Sequence, residues 1–115
     1  MELVAFLGEG EGTWGQVIGV VNHGDWENII LVGTESARKF TTEKDFELIE
    51  IKSSGLVDMK EEIHKKLQGK IRGTEVALSI ASGNGKEHMA LISALLSLPA
   101  GIRFTALTKD GIIFM

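Results

Sequence analysis

The residues best placed for chemistry lie in one polar turn, Ser82-Gly83-Asn84-Gly85-Lys86, between the apolar runs EVALSIA and HMALISALLSL. Asn84 suits the N-cap of the following helix, and Glu87, three residues on, can reach back to the cap amide. Free amides of a first helical turn, glycines that allow close approach and one lysine together make an anion site, so the turn points to a phosphate-bearing ligand. A Walker A loop would instead need glycine at Ile80 and Ser or Thr at Glu87. If any residue assists a reaction it is Lys86, by stabilising developing negative charge. The plainer reading is a capped, buried helix whose Lys86 points into solvent.

A second glycine cluster, Gly10-x-Gly12-x-x-Gly15, follows the apolar run ELVAFL, and Glu35 stands near the position of a ribose-binding acid. Thr13 and Trp14 could meet ribose or base from this loop. Against a pyrophosphate here are the two carboxylates of Glu9 and Glu11, and the loose spacing between the strand end and Gly10. The alternative is that these glycines only permit tight turns. His23, His64 and His88 have no metal-ligand spacing and cysteine is absent, so neither a metal centre nor a resident cofactor is expected. No Ser, Thr or carboxylate is marked as an activated nucleophile or catalytic pair. Tryptophans such as Trp14 and Trp26 more commonly serve packing than base stacking.

Composition narrows the class. One domain spanning residues 1–115 is expected, large enough for its own core. The net charge of −4 and pI near 5.3 argue against general DNA or RNA binding, which needs a basic face. No leader-like or membrane-length apolar segment is visible, which makes cytoplasmic the default expectation.

The elements that must position these residues read in order as β-α-β-β-α-β-α-β-β. Strands are expected over 2–7, 28–32, 46–51, 76–80, 102–107 and 112–115, with a hairpin at Lys109-Asp110-Gly111. Helices are expected from Trp14 to His23 (Thr13 and Gln16 in capping-box spacing), from Leu56 to Ile71 ended by Gly73, and from Lys86 to Leu98 stopped by Pro99. The stretch SARKFTTEKD reads as a loop or short helical turn. FELIEI alternates apolar with acidic residues, as a strand near a sheet edge does. Such alternation implies a mainly parallel sheet covered on both faces, with an antiparallel strand at one edge. If the first and fourth strands are neighbours, the turns 8–15 and 82–86 flank one crevice. The helix 86–98 has almost no polar face, so a homodimer through it is expected.

This arrangement resembles the CRISPR-associated Rossmann fold (CARF) domains over most of the chain. The likeness rests on FELIEI, LVDMKEEIHKKL, EVALSIA and SGNGK leading into HMALISALLSL. It implies a Rossmann-like three-layer α/β sandwich, dimerisation, and a cyclic oligoadenylate bound through the first loop and the 82–86 turn. Ser82, Gly83 and Lys86 match the family's turn, whereas Asn84 and Gly85 depart from it. No effector domain accompanies the motif, so the resemblance implies a stand-alone sensor, sponge or ring nuclease. The competing expectations are an interaction or assembly domain without ligand, and mononucleotide or NAD binding through the 8–15 loop.

Overall fold

Three apolar runs become the centre of the sheet, because a strand covered on both faces must be apolar at every position. They are β1 (Glu2–Leu7), β2 (Ile29–Gly33) and β4 (Glu75–Ser79), in the computed structural model describing all 115 residues. The remaining elements are α1 (Trp14–His23), β3 (Glu47–Glu50), α2 (Leu56–Leu67), α3 (Gly85–Leu96), β5 (Gly101–Thr108) and β6 (Gly111–Phe114). The sheet runs β3-β2-β1-β4-β5-β6, parallel throughout except for the antiparallel β5–β6 hairpin at the edge. The fold is a Rossmann-like three-layer α/β sandwich, with the strand order of dinucleotide-binding sheets.

Strand periodicity divides the core in two. Val4, Phe6, Ile30, Val32, Val76 and Leu78 pack with Met59, Ile63 and Leu67 of α2 and with Ala90, Leu91, Ala94 and Leu95 of α3. Leu3, Ala5, Leu7, Ile29, Leu31 and Ala77 pack on the other side against Trp14, Val17, Val20 and Val21 of α1. Ala37 and Phe40 join that second layer from a 3₁₀ turn, Glu35–Lys39, which replaces a crossover helix between β2 and β3. β3 lies at the sheet edge, as its acidic alternation requires. Its charges are matched by Arg38 to Glu50 and Lys70 to Glu47.

Two local expectations differ from the fold. Thr13 does not close a capping box with Gln16; it sits at φ −105°, ψ 0° with no side-chain cap bond. α2 stops at Leu67 rather than running to Gly73, because the chain turns through Gly69 at φ +79°. Glu2, almost fully buried, then holds the segment after α2 by accepting from the amides of Arg72 (2.7 Å) and Gly73 (2.9 Å). α3 buries one face only. Met89 and Leu96 stand 57% and 70% exposed, an apolar stripe open to solvent. No helix is long and apolar enough to cross a membrane.

Candidate functional site

β1 and β4 pair in parallel, so the loops leaving their carboxyl ends meet at the point where the strand order reverses. The contact is closest between two glycines. A Cβ on Gly8 would lie 2.6 Å from the Gly83 nitrogen, and Gly83 itself adopts φ +107°. Ser82 Oγ sews the two loops together, accepting from the Gly8 amide (2.8 Å) and from Thr13 Oγ1 (2.7 Å). Ser82 is 1% exposed, so its hydroxyl serves the scaffold. The Thr13 hydroxyl, which the sequence assigns to the cap of α1, is used in this seam instead.

The turn then starts α3 with a complete capping box. Asn84 Oδ1 accepts from the Glu87 amide and Glu87 Oε1 accepts from the Asn84 amide, both at 2.8 Å. The amides of Gly83, Gly85 and Lys86 donate to no group in the chain, leaving donors at the positive end of the helix. His88 packs edge-on to Phe6 and bonds the Ser82 carbonyl through Nε2 at 2.7 Å, which fixes the turn from behind.

Beside this turn a cleft of about 940 Å³ runs along the carboxyl ends of the strands toward β3. Of the residues the sequence singles out, Thr13, Gly83, Asn84 and Lys86 line it; Gly10, Gly12, Trp14, Ser82 and Gly85 do not. Trp14 is 5% exposed, with its indole N–H on the Gly8 carbonyl (3.0 Å) and its ring against Phe40, so it belongs to the core. Lys86 reaches across the cleft to the Ser54 carbonyl at 2.6 Å. Glu35, the residue in the ribose-acid position, also lines the cleft, as do Glu9 and Thr34.

Sequence reasoning missed the wall built by the loop after β3, where Lys52, Ser53 and Ser54 line the cleft. That loop is pinned by Glu62 of α2, whose carboxylate accepts from the Lys52 amide (3.0 and 3.1 Å), the Ser53 amide (2.9 Å) and Lys66 Nζ (2.8 Å). The Glu62–Lys66 pairing is visible in the sequence as an i,i+4 pair, but the loop amides are not. Burial opposes the charge on Glu62, yet the bonds from Lys66, Ser53 and Lys52 outweigh it and bring the carboxyl from 4.5 down to about 2.

A folded-state acid with a lowered pKa contributes stability above its unfolded value and loses it as pH falls through the folded one. The stability gap between the wild type and Glu62→Gln is therefore expected to be full above pH 4.5 and to shrink as pH falls toward 2. At pH 7 it should be about 2 kcal/mol, the worth of hydrogen bonds to a charged acceptor. Urea melts from pH 7 to pH 2.5 check this, and a gap constant with pH would remove Glu62 from the role.

No cluster of His, Asp or Glu in the chain could hold a metal ion. Arg38 lines the cleft too, but its guanidinium is held by Glu50 through Nε (2.5 Å) and Nη2 (2.9 Å), which raises its pKa further. The arrangement offers unbonded amide donors and the lysine side chains of Lys52 and Lys86, with hydroxyls and carboxylates also lining the cleft. Compared with models of known protein families and with curated proteins, the chain matches none.

Proposed function

We propose that this chain is a nucleotide-binding module that takes a cyclic oligoadenylate in the cleft and acts as a dimer. The observation that carries this reading is the head of α3. Three unbonded amides, a positive-φ glycine and Lys86 meet there, beside a large cleft at the point where strand order reverses. The resemblance to CARF domains supplies the ligand class. The exposed Met89 and Leu96 on helix 86–98 supply an apolar surface for a second copy. Cleavage of the ligand, as in a ring nuclease, requires only that a ribose 2′-hydroxyl be aligned with the neighbouring phosphate while Lys86 stabilises the developing charge.

Thermal melts against cyclic tri-, tetra- and hexa-adenylate, linear oligoadenylate, AMP, ATP and NAD test the reading. A ligand at 100 times its dissociation constant adds about 2.7 kcal/mol to the folded state. Lys86→Ala should remove most of that shift. It should leave the ligand-free melt within about 0.5 kcal/mol, since the ammonium is exposed and its bond to Ser54 is solvent-screened. A panel without any shift would sink the proposal. It would favour a second reading, a ligand-free interaction domain, for which the carboxylates of Glu9 and Glu35 in the cleft already speak. NAD or mononucleotide binding through the 8–15 loop has less support, because Gly10, Gly12 and Gly15 lie outside the cleft lining.

A further inference from the structure

The sheet has two edges, and charge guards only one of them. At β3, Lys70 pairs with Glu47, Arg38 pairs with Glu50, and Lys66 Nζ donates to the Glu50 carbonyl at 2.7 Å. Charges of this kind blunt an edge against further strands. β6, at the other edge, reads Gly-Ile-Ile-Phe and has neither charge nor proline. Ile113, Phe114 and the following Met115 stand 36%, 41% and 70% exposed. The register fixes what the free side of β6 presents. Met115 donates its amide to the Phe104 carbonyl, so by the alternation of an antiparallel ladder Ile113 and Gly111 also bond toward β5. The N–H and C=O groups of Ile112 and Phe114 therefore point away from the sheet.

Outward groups on two residues with one between them are self-complementary about that middle residue. A second copy, turned about a two-fold axis at Ile113, sets its Phe114 opposite Ile112 and its Ile112 opposite Phe114. Every outward N–H and C=O of both residues then finds a partner. The side chains suit the same register. On the α1 side, Trp26 meets the Phe114 ring edge-on at 6.2 Å and Arg103 lies over it at 5.3 Å, which holds the ring where Ile112 of the second copy arrives. An aromatic beside a β-branched residue is a favourable cross-strand pair. On the α2–α3 side Ile113 meets Ile113 of the second copy, and no like charges are opposed. We infer that β6 is a self-association edge, along which two copies pair antiparallel and merge their sheets into one. This goes beyond the dimer proposed through α3, because the edge is a different surface from Met89 and Leu96 and needs no ligand.

Light scattering at about 100 μM, where a contact of micromolar affinity is filled, tests the edge. Met89→Lys/Leu96→Lys first charges the exposed α3 stripe, which leaves β6 to join the copies. This protein should run at twice the 12.5 kDa of one chain. Adding Ile113→Lys or Ile113→Glu sets like charges directly opposite at the axis, and each should weaken association by more than about tenfold. Mixing the two Ile113 variants replaces repulsion by attraction and should restore the dimer, which misfolded chains would not do. A monomeric Met89→Lys/Leu96→Lys protein, or a dimer that survives Ile113→Lys in that background, overturns the β6 edge. Ile113→Lys in the wild-type chain tests the α3 contact separately: a dimer there keeps it and a monomer removes it. A nucleotide-induced rise in melting temperature leaves the ligand reading standing whichever surface fails.

Discussion

Gly8→Ala is expected to destabilise the protein by about 3 kcal/mol or more, the upper end of the cost of overpacking. The new Cβ would fall 2.6 Å from the Gly83 nitrogen and 2.7 Å from its Cα. Both are backbone atoms, so no rotamer change relieves the clash, and the loops after β1 and β4 must separate. At about 4 °C per kcal/mol for a chain of this size, the melting temperature should fall by more than ~10 °C. Under the proposed function, ligand response should be lost with it, because Gly83 belongs to the turn proposed to hold phosphate. Gly12→Ala and Gly15→Ala are the controls. Neither residue has an atom within 4 Å of its would-be Cβ, and Gly15 is helical. Gly15→Ala should stabilise by about 0.5–1 kcal/mol, through the gain in helix propensity. If Gly8→Ala melts like the wild type, the seam between the two loops is not the tight joint described above.

Ser82→Ala is expected to cost about 2–3 kcal/mol without any ligand present. Its hydroxyl is the acceptor for the buried Gly8 amide as well as for Thr13. Removing it leaves that amide desolvated and unpaired, which costs about 1–3 kcal/mol, and the Thr13 bond is lost as well. Thr13 is exposed, so Thr13→Ala should cost below about 1 kcal/mol and measures that second bond by itself. A ligand-contacting serine would behave differently: binding would weaken while the ligand-free melt stayed put. Chemical denaturation of the two variants therefore separates a scaffold role from a contact role. A Ser82→Ala melt matching the wild type would return Ser82 to the ligand.

Much of this architecture follows from local pattern. The apolar runs 2–7 and 75–79, the helix 14–23, the closing hairpin and the edge character of β3 depend on side-chain periods of two and 3.6, which neighbouring residues set among themselves. The cap at Asn84 is equally local, since its partner is three residues away. Periodicity misleads at α2, where Ile71 continues the apolar stripe and still packs against the core, although the helix has already ended before Gly69.

The uses of the candidate site residues are decided over much longer separations. Gly8 and Ser82 are 74 residues apart, and Thr13 and Ser82 are 69 apart. Those partners exist only because β1 lies beside β4. The glycine fingerprint begins at Gly10 in the sequence, but the close approach falls on Gly8, because backbone crowding depends on which strand lies alongside. Trp14 likewise turns inward to the Gly8 carbonyl and Phe40, a choice between core and ligand that no local pattern contains. By itself the chain's sequence determined which segments are strand, helix and turn, since those depend on contacts within a few residues. The tertiary structure decided which polar groups hold the scaffold and which face the cleft, because strand order alone sets their partners.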